Sequence, residues 1–290
     1  FSIRGKNIPF STNILFDCET VHGLTVGCEI CEDLWVADAP AVNHALKGAT
    51  IVANLSASNE TVGKDEYREL LVKSVSARLI CGYIYANAGE GESTTDLVFG
   101  GHNLIAENGT ILKESRRFVN GAIYSEIDLK RLLSERRKNT TFKAAKAPVL
   151  CRVPFDIRTE ETKLTRDISS RPFVPGEAKE RAVRCEEILA IQAIGLKKRL
   201  SHAHAKNAVV GISGGLDSTL ALLVSAKAFD LLGLDRKGIT AVTMPCFGTT
   251  DRTYQNACKM SVKLGASLRE IPIAESVKRH FEDIGHDMED

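Results

Sequence analysis

No apolar run in this 290-residue sequence approaches the ~18 residues of a membrane-spanning helix, which excludes a helical membrane protein. There is no excess of either charge. The net charge is +1 and the pI about 7.7, so no global field recruits nucleic acid. No internal repeat or low-complexity segment is visible, which argues against solenoid and fibrous architectures. The eight cysteines show no framework spacing, and a chain of this length builds a core without disulfide staples. They read as reduced thiols, which with the absence of a signal peptide points to a cytoplasmic protein. The sequence opens at Phe1 without an initiator methionine and stops at Asp290, a few residues into an expected helix, so it reads as a fragment.

What is present is ordinary for a globular chain: 43% hydrophobic and 26% charged residues, with a mean hydropathy of -0.08. At roughly 150 residues per domain the length predicts about two domains. Charge is uneven along the chain. Residues 113–206 hold 22 Lys and Arg against 12 Asp and Glu, and the remainder is acidic. This stretch is either a solvated basic face or linker, or a surface that meets an acidic partner domain or subunit.

The first 125 residues read as α/β. Leu24, Val26, Cys28 and Ile30 alternate with Thr25, Gly27 and Glu29, as in a half-buried strand. A helix over 42–47, a strand over 50–55, a helix over 65–81 and short strands at 84–87 and 97–99 follow. Glu107-Asn108-Gly109-Thr110 has the composition of a hairpin turn. A connector is expected around 126–175, where prolines and basic residues gather. Beyond it come helix 185–200, strand 208–212, helix 216–229, strand 239–244, helix 251–264 and strand 267–273. That order predicts a doubly wound parallel sheet.

The string Gly211-Ile212-Ser213-Gly214-Gly215-Leu216-Asp217-Ser218-Thr219 ends a predicted strand and opens a predicted helix. Doubly wound sheets place ligands there. Glycines allow close backbone approach, and the helix start offers free N–H groups to an anion. It is neither a Walker A loop nor G-x-G-x-x-G. Asp217 would repel a bare phosphate. A Mg²⁺ ion shared between carboxylate and phosphate removes the conflict, and a plain first-turn acid is the alternative reading. The string resembles the PP-loop of ATP pyrophosphatases. That resemblance implies ATP binding by 211–218, metal binding by Asp217, and a pyrophosphate leaving group.

Cys31 lies in Gly27-Cys28-Glu29-Ile30-Cys31-Glu32-Asp33-Leu34-Trp35. Half a zinc site, a redox pair and a merely buried thiol are the bland readings. No His pair supplies the missing zinc ligands, and two cysteines three apart at a strand end point to opposite faces. The remaining reading is a nucleophile, which at neutral pH needs a base or cation nearby. The segment resembles the nitrilase, or carbon–nitrogen hydrolase, superfamily, in which a Glu–Lys–Cys triad attacks amides. Cys31 maps onto that nucleophile. The resemblance places the triad's Glu and Lys upstream of Phe1.

A nitrilase-like segment followed by a PP-loop segment resembles the glutamine-dependent NAD synthetase family. The strings at 134–142, 171–175 and 184–189 agree with it. The resemblance implies the C-terminal part of a glutaminase domain over 1–142, a basic Pro-containing linker over 143–178, and the N-terminal part of a synthetase domain over 179–290. It implies glutamine, ATP and deamido-NAD as substrates, with Glu32, Ser58 and Lys64 at glutamine; a cap, a turn hydroxyl and a surface charge are the plain alternatives for these three, and another PP-loop amidotransferase or a non-catalytic nucleotide-binding scaffold the alternatives for the whole. Lys64 stands where an Arg can occur, and an ammonium gives a point charge where a guanidinium gives a fork. Met244–Thr249 is expected near the nucleotide, with Met244 touching ATP. Ammonia is expected to cross between the sites, and a homo-oligomer is implied by analogy alone. The family's later segments lie past Asp290, so the fragment is expected to hold parts of both sites and not to turn over.

Overall fold

Residues 25–30 do form a strand, but its buried side is not the apolar one that the alternation suggested: Gly27 and Glu29 face inward, while Val26 and Cys28 are half-buried and Ile30 is exposed. In the computed structural model, which describes residues 1–92, 96–143, 151–247 and 250–286, the chain divides into two units, Phe1–Ile168 and Ser169–Asp290. Each is described by itself.

A short ribbon of β1 (Ser2–Ile3) and β2 (Lys6–Asn7) precedes the main sheet of the first unit. That sheet contains β3 (Ile14–Cys18), β4 (Thr25–Ile30), β5 (Ile51–Ser56), β6 (Gly82–Asn87), β7 (Leu104–Glu107), β8 (Thr110–Glu114) and β9 (Cys151–Phe155). The order across it is β8-β7-β6-β5-β4-β3-β9. At its centre β4, β5 and β6 run parallel, in the register Glu29↔Asn54↔Tyr85. Helices α1 (Pro40–Leu46) and α2 (Lys64–Leu79) connect them and cover one face. The core there is Ala41, Ala45, Val52, Val72, Val75, Leu79, Tyr83 and Tyr85. Ile30 and Leu55, on the other face, are exposed. A third helix, α3 (Leu129–Lys138), is capped by the Asp128 carboxylate, which accepts from the Arg131 N–H. The hairpin between β7 and β8 turns at Asn108 and Gly109. Both have positive φ, as the tight turn that matches strand twist requires.

Two sequence expectations change here. Residues 97–99 form no strand. Phe99 makes a single bridge to Asn59, while Leu97 and Val98 stay exposed. Part of the segment read as connector is sheet. β9 runs parallel to β3, from Ile14↔Cys151 to Cys18↔Phe155. Cationic side chains of the basic stretch meet carboxylates of the same unit. Arg152 NH1 donates to both Asp17 oxygens at 2.9 and 2.7 Å, and Arg166 forks onto the buried Glu107 at 2.9 and 3.2 Å. Burial alone would raise the Asp17 carboxyl, but hydrogen bonds from Arg152 and Thr25 outweigh it and hold it below its ordinary value. Residues 144–150, including Pro148, lie outside the described residues.

The second unit matches the expected alternation closely. Its elements are α4 (Ala178–His202), β10 (Ala208–Gly211), α5 (Leu216–Leu232), β11 (Ile239–Thr243), α6 (Asp251–Leu264), β12 (Ser267–Glu270) and α7 (Ala274–Ile284). The three strands are all parallel, in the order β10-β11-β12. β12 ends three residues earlier than the sequence pattern suggested: its register on β11 runs from Thr240↔Ser267 to Thr243↔Glu270, and one last bond, from the Ile271 N–H to the Thr243 carbonyl at 2.9 Å, closes the ladder. The core gathers Leu222, Ala226, Phe229, Ile239 and Ala241. Phe229 is fully buried. Phe229→Ala is expected to lower the stability of this unit by about 3–5 kcal/mol, read from the midpoint of denaturant unfolding.

Candidate active sites

In parallel α/β sheets, the loops beyond the carboxyl ends of strands carry ligands. In the first unit the loops after β4, β5 and β6 share one edge. The first opens with Cys31, which sits directly after β4 with φ +49°, the left-handed region. A side-chain-bearing residue there stores strain of order 1–3 kcal/mol, so the surroundings must hold it. They do. The Cys31 N–H donates to Asn54 Oδ1 at 3.2 Å, and the Asn54 amide donates back to the Cys31 carbonyl at 3.4 Å. The chain then turns sharply through the 3₁₀ segment Cys31–Leu34. Asp33 closes that turn by accepting from the Ile30 N–H at 2.7 Å.

Behind the turn lies a buried polar group that the motif reading did not identify. The Glu29 carboxylate is 2% exposed. It accepts from the Tyr83 hydroxyl, from the Ala41 N–H at 3.0 Å and from Asn54 at 3.4 Å. Ser56 Oγ donates to Asn54 Oδ1 at 2.6 Å. A buried carboxylate is tolerated only with such partners. Burial, together with the charge of Glu29, pushes the Tyr83 phenol far above its usual range, so it stays a donor. The alternation placed Glu29 on the polar side of the strand, so its burial was not legible in the sequence; the register against Asn54 and Tyr85 turns it inward and joins it to Asn54 and Tyr83.

Among the other thiols, Cys81 is fully buried and pushed up to about 12 by desolvation. Cys28 is raised for the same reason. Cys31 is partly accessible. The described residues contain no group of three or more His, Cys, Asp or Glu side chains able to hold a metal.

Glu32, next in the turn, is exposed. Ser58 is 5% exposed in the loop after β5, its N–H donating to Asn87 Oδ1 at 2.8 Å. Lys64 is half-buried at the start of α2. Its ammonium donates to Asn59 at 2.9 Å and lies 5.3 Å from the Trp35 ring centroid, within cation–π range. Trp35 belongs to the same loop as Cys31, so the fold brings Lys64 beside the Cys31 turn.

In the second unit, Gly211 ends β10, Ile212 is buried, and Ser213–Gly215 lead into α5 at Leu216. Gly214 has φ +81°, and a Cβ there would collide with the Thr253 carbonyl of α6. The loop is closed by hydroxyls. The Ser213 N–H donates to Ser218 Oγ at 3.2 Å, and Ser218 Oγ donates to the Gly215 carbonyl at 3.2 Å. Asp217 and Leu216 are exposed in the first turn of α5. Met244 follows β11 and is half-exposed, with its methyl 4.0 Å from the position of a Cβ on Gly211. Gly248 and Thr249 of the expected nucleotide segment lie outside the described residues.

A cleft of about 760 Å³ adjoins the loop. It is lined by Gly214, Gly215, Leu216 and Thr219 and by one side of α6 that presents Arg252, Asn256, Lys259 and Lys263. Three cations beside a helix N-terminus suit a polyanion. The spacing 252, 259, 263 is helical, and was legible once α6 was assigned. Gly214→Ala is expected to distort the loop against α6 and to destabilise it by roughly 1–3 kcal/mol, seen as faster amide exchange across 213–219. Asn54→Ala is expected to cost about 1–3 kcal/mol, because it strips partners from a buried carboxylate and a strained turn. Equilibrium unfolding measures it.

Comparison with known proteins gives a family match in each unit. The family model for carbon–nitrogen hydrolase matches residues 4–137, and that for NAD synthase matches residues 188–290. The glutamine-dependent NAD(+) synthetase of Mycobacterium tuberculosis is 40% identical over 98% of this chain and 43% of its own length. That of Mycobacterium leprae is 41% identical over 96% of this chain and 42% of its own. A more distant relative of the same description, from Aquifex aeolicus, is 28% identical over 90% of this chain and 44% of its own. The chain thus spans less than half the length of the curated relatives it matches. With a carbon–nitrogen hydrolase segment followed by an NAD synthase segment, and 40% identity across nearly all of its residues, the chain belongs to the glutamine-dependent NAD(+) synthetase family.

Proposed function

We propose that the protein makes NAD from deamido-NAD, with glutamine as nitrogen donor and ATP as activator. The observation that carries this reading is the succession of the two family segments on one chain. An amide-cleaving segment and an ATP-using segment together fit an amidotransferase.

In the first unit the Cys31 thiolate attacks the side-chain amide carbon of glutamine. The tetrahedral intermediate collapses, the C–N bond breaks and ammonia leaves, with a proton delivered to its nitrogen by an acid. Water then hydrolyses the thioester to glutamate. The Cys31 N–H is already engaged with Asn54, so the oxyanion is held by other donors. Glu32 and Lys64 bind the α-ammonium and α-carboxylate of glutamine by charge, and Ser58 lies at the same pocket. The strain at Cys31 keeps its sulfur presented at the strand end.

In the second unit residues 211–218 bind the phosphates of ATP. The deamido-NAD carboxylate attacks the α-phosphorus, pyrophosphate leaves, and ammonia displaces AMP from the acyl adenylate. Exposed Leu216 and Met244 offer apolar surface to the nucleotide. A Mg²⁺ ion fits the donor set in one mode. Asp217 would hold it through a single exposed carboxylate. When bound, the ion offsets phosphate charge. Charge relief also comes from this chain's own Arg252, Lys259 and Lys263. Passage of ammonia from one site to the other, and assembly of several copies, belong to the same proposal.

In the full-length protein, Cys31→Ala is expected to abolish NAD formation driven by glutamine and to spare that driven by ammonium. Asp217→Asn is expected to lose both, by 10²-fold or more for an electrostatic group at a transferring phosphate. NAD production from deamido-NAD and ATP, with each nitrogen source in turn, measures both. A wild type that makes no NAD from either source would refute the substrate assignment.

A further inference from the structure

Arg68 is a buried charge that no motif singles out. It lies on α2 one turn after Lys64 and is fully buried. A guanidinium stays charged, and a buried charge without a partner is strongly unfavourable. One partner is Glu60, whose Oε1 lies 2.9 Å from Arg68 NH2, the two side chains being 0% and 6% exposed. A second is His102, whose Nδ1 accepts from Arg68 NH1 at 2.8 Å. That bond places the imidazole proton on Nε2, which donates to Glu114 at 2.7 Å. The Tyr85 ring faces the guanidinium at 5.7 Å. Arg117 adds a cation 3.8 Å from Glu60 and 2.8 Å from Asp65.

Glu60 sits in the loop between β5 and α2, two residues after Ser58 and four before Lys64. The outer bonds of that loop are few. The Ser58 N–H donates to Asn87, the Glu60 N–H donates to the Val98 carbonyl at 2.7 Å, and Lys64 donates to Asn59. The buried ion pair is its inward anchor. An apolar pair of the same volume would fill this space without desolvating two charges. What the charged pair adds is a close buried attraction: at 2.9 Å it holds the Glu60 carboxylate against α2, and with it the loop on either side.

We propose that Arg68 is a positioning residue for glutamine. Through Glu60 it sets the placement of Ser58 and Lys64, so that the Lys64 ammonium meets the α-carboxylate of the substrate. This rests on the glutaminase reading above.

The test uses the full-length protein and the variants Glu60→Gln and Arg68→Lys, each close in shape to the residue it replaces. Glutamine hydrolysis is expected to show KM raised about tenfold, the scale of one lost charge-assisted contact, with kcat within about threefold of wild type. A third variant, Arg68→Met, removes the charge and is expected to raise KM more than Arg68→Lys, whose single ammonium keeps the charge but does not span both Glu60 and His102. Alkylation of Cys31 supplies a second readout. The half-saturating concentration of the glutamine-shaped diazoketone 6-diazo-5-oxo-norleucine is expected to rise by the same factor, and the rate with iodoacetamide, which needs no carboxylate pocket, to stay unchanged. Equal KM and diazoketone values in wild type and both variants would overturn the proposal, as would a fall in iodoacetamide reactivity parallel to that of the diazoketone. Loss of fold in both variants, read by circular dichroism, would assign the pair to stability alone and overturn it too. A wild type that neither hydrolyses glutamine nor reacts with the diazoketone at Cys31 would instead refute the glutaminase reading, and this inference with it.

Discussion

The first unit is organised around a carboxylate buried at the centre of its sheet. Glu29 is held by Tyr83, Asn54 and the backbone of α1, and these three partners come from β6, β5 and the helix that covers them. Removing any one leaves the buried carboxylate one hydrogen bond short in an apolar layer, so the parallel register of β4, β5 and β6 is fixed as much by polar satisfaction as by packing. Asn54 then does a second task. It grips both the N–H and the carbonyl of Cys31, which lets that residue occupy a left-handed conformation at the strand end.

A similar logic governs the second unit, with backbone in place of a carboxylate. The loop at Ser213–Gly215 passes so close to the Thr253 carbonyl that only glycine fits at position 214. Ser213 and Ser218 then use their hydroxyls to hold the loop shape. The free N–H groups at the start of α5 are left pointing at the cleft, where α6 presents its cations. In both units a strand ends and the chain turns in a conformation that a neighbouring element enforces, with Cys31 at one such turn and the helix start at Leu216 at the other. The basic stretch between them is partly internal: Arg152 and Arg166 bind Asp17 and Glu107. Its charge is therefore not all available to a partner.

Much of this was legible without coordinates. The existence of a strand at 24–30, though not which of its sides is buried, the 3.6-residue stripe of α2, the Asn108-Gly109 turn and the strand–helix succession of the second unit each follow from local chemistry, because each needs only neighbouring residues to be satisfied. Cys31 and the 211–219 string were visible because their chemistry is contiguous. Residues 151–155 were misjudged as connector for the opposite reason: their partner strand, β3, lies more than 130 residues away. Leu97–Phe99 has strand composition but lacks a neighbour with which to form a ladder.

The sequence by itself determined the element types, the two reactive strings and their order along the chain, since those depend on side-chain period, turn chemistry and short motifs. The tertiary structure alone decided that Glu29 braces the Cys31 turn, that Arg68 reaches Glu60 and His102, and that three cations of α6 stand beside the phosphate-type loop. Each of those arrangements joins residues from different strands or helices. Whether two buried polar groups satisfy each other is settled by sheet register and helix placement, which no local stretch of sequence encodes.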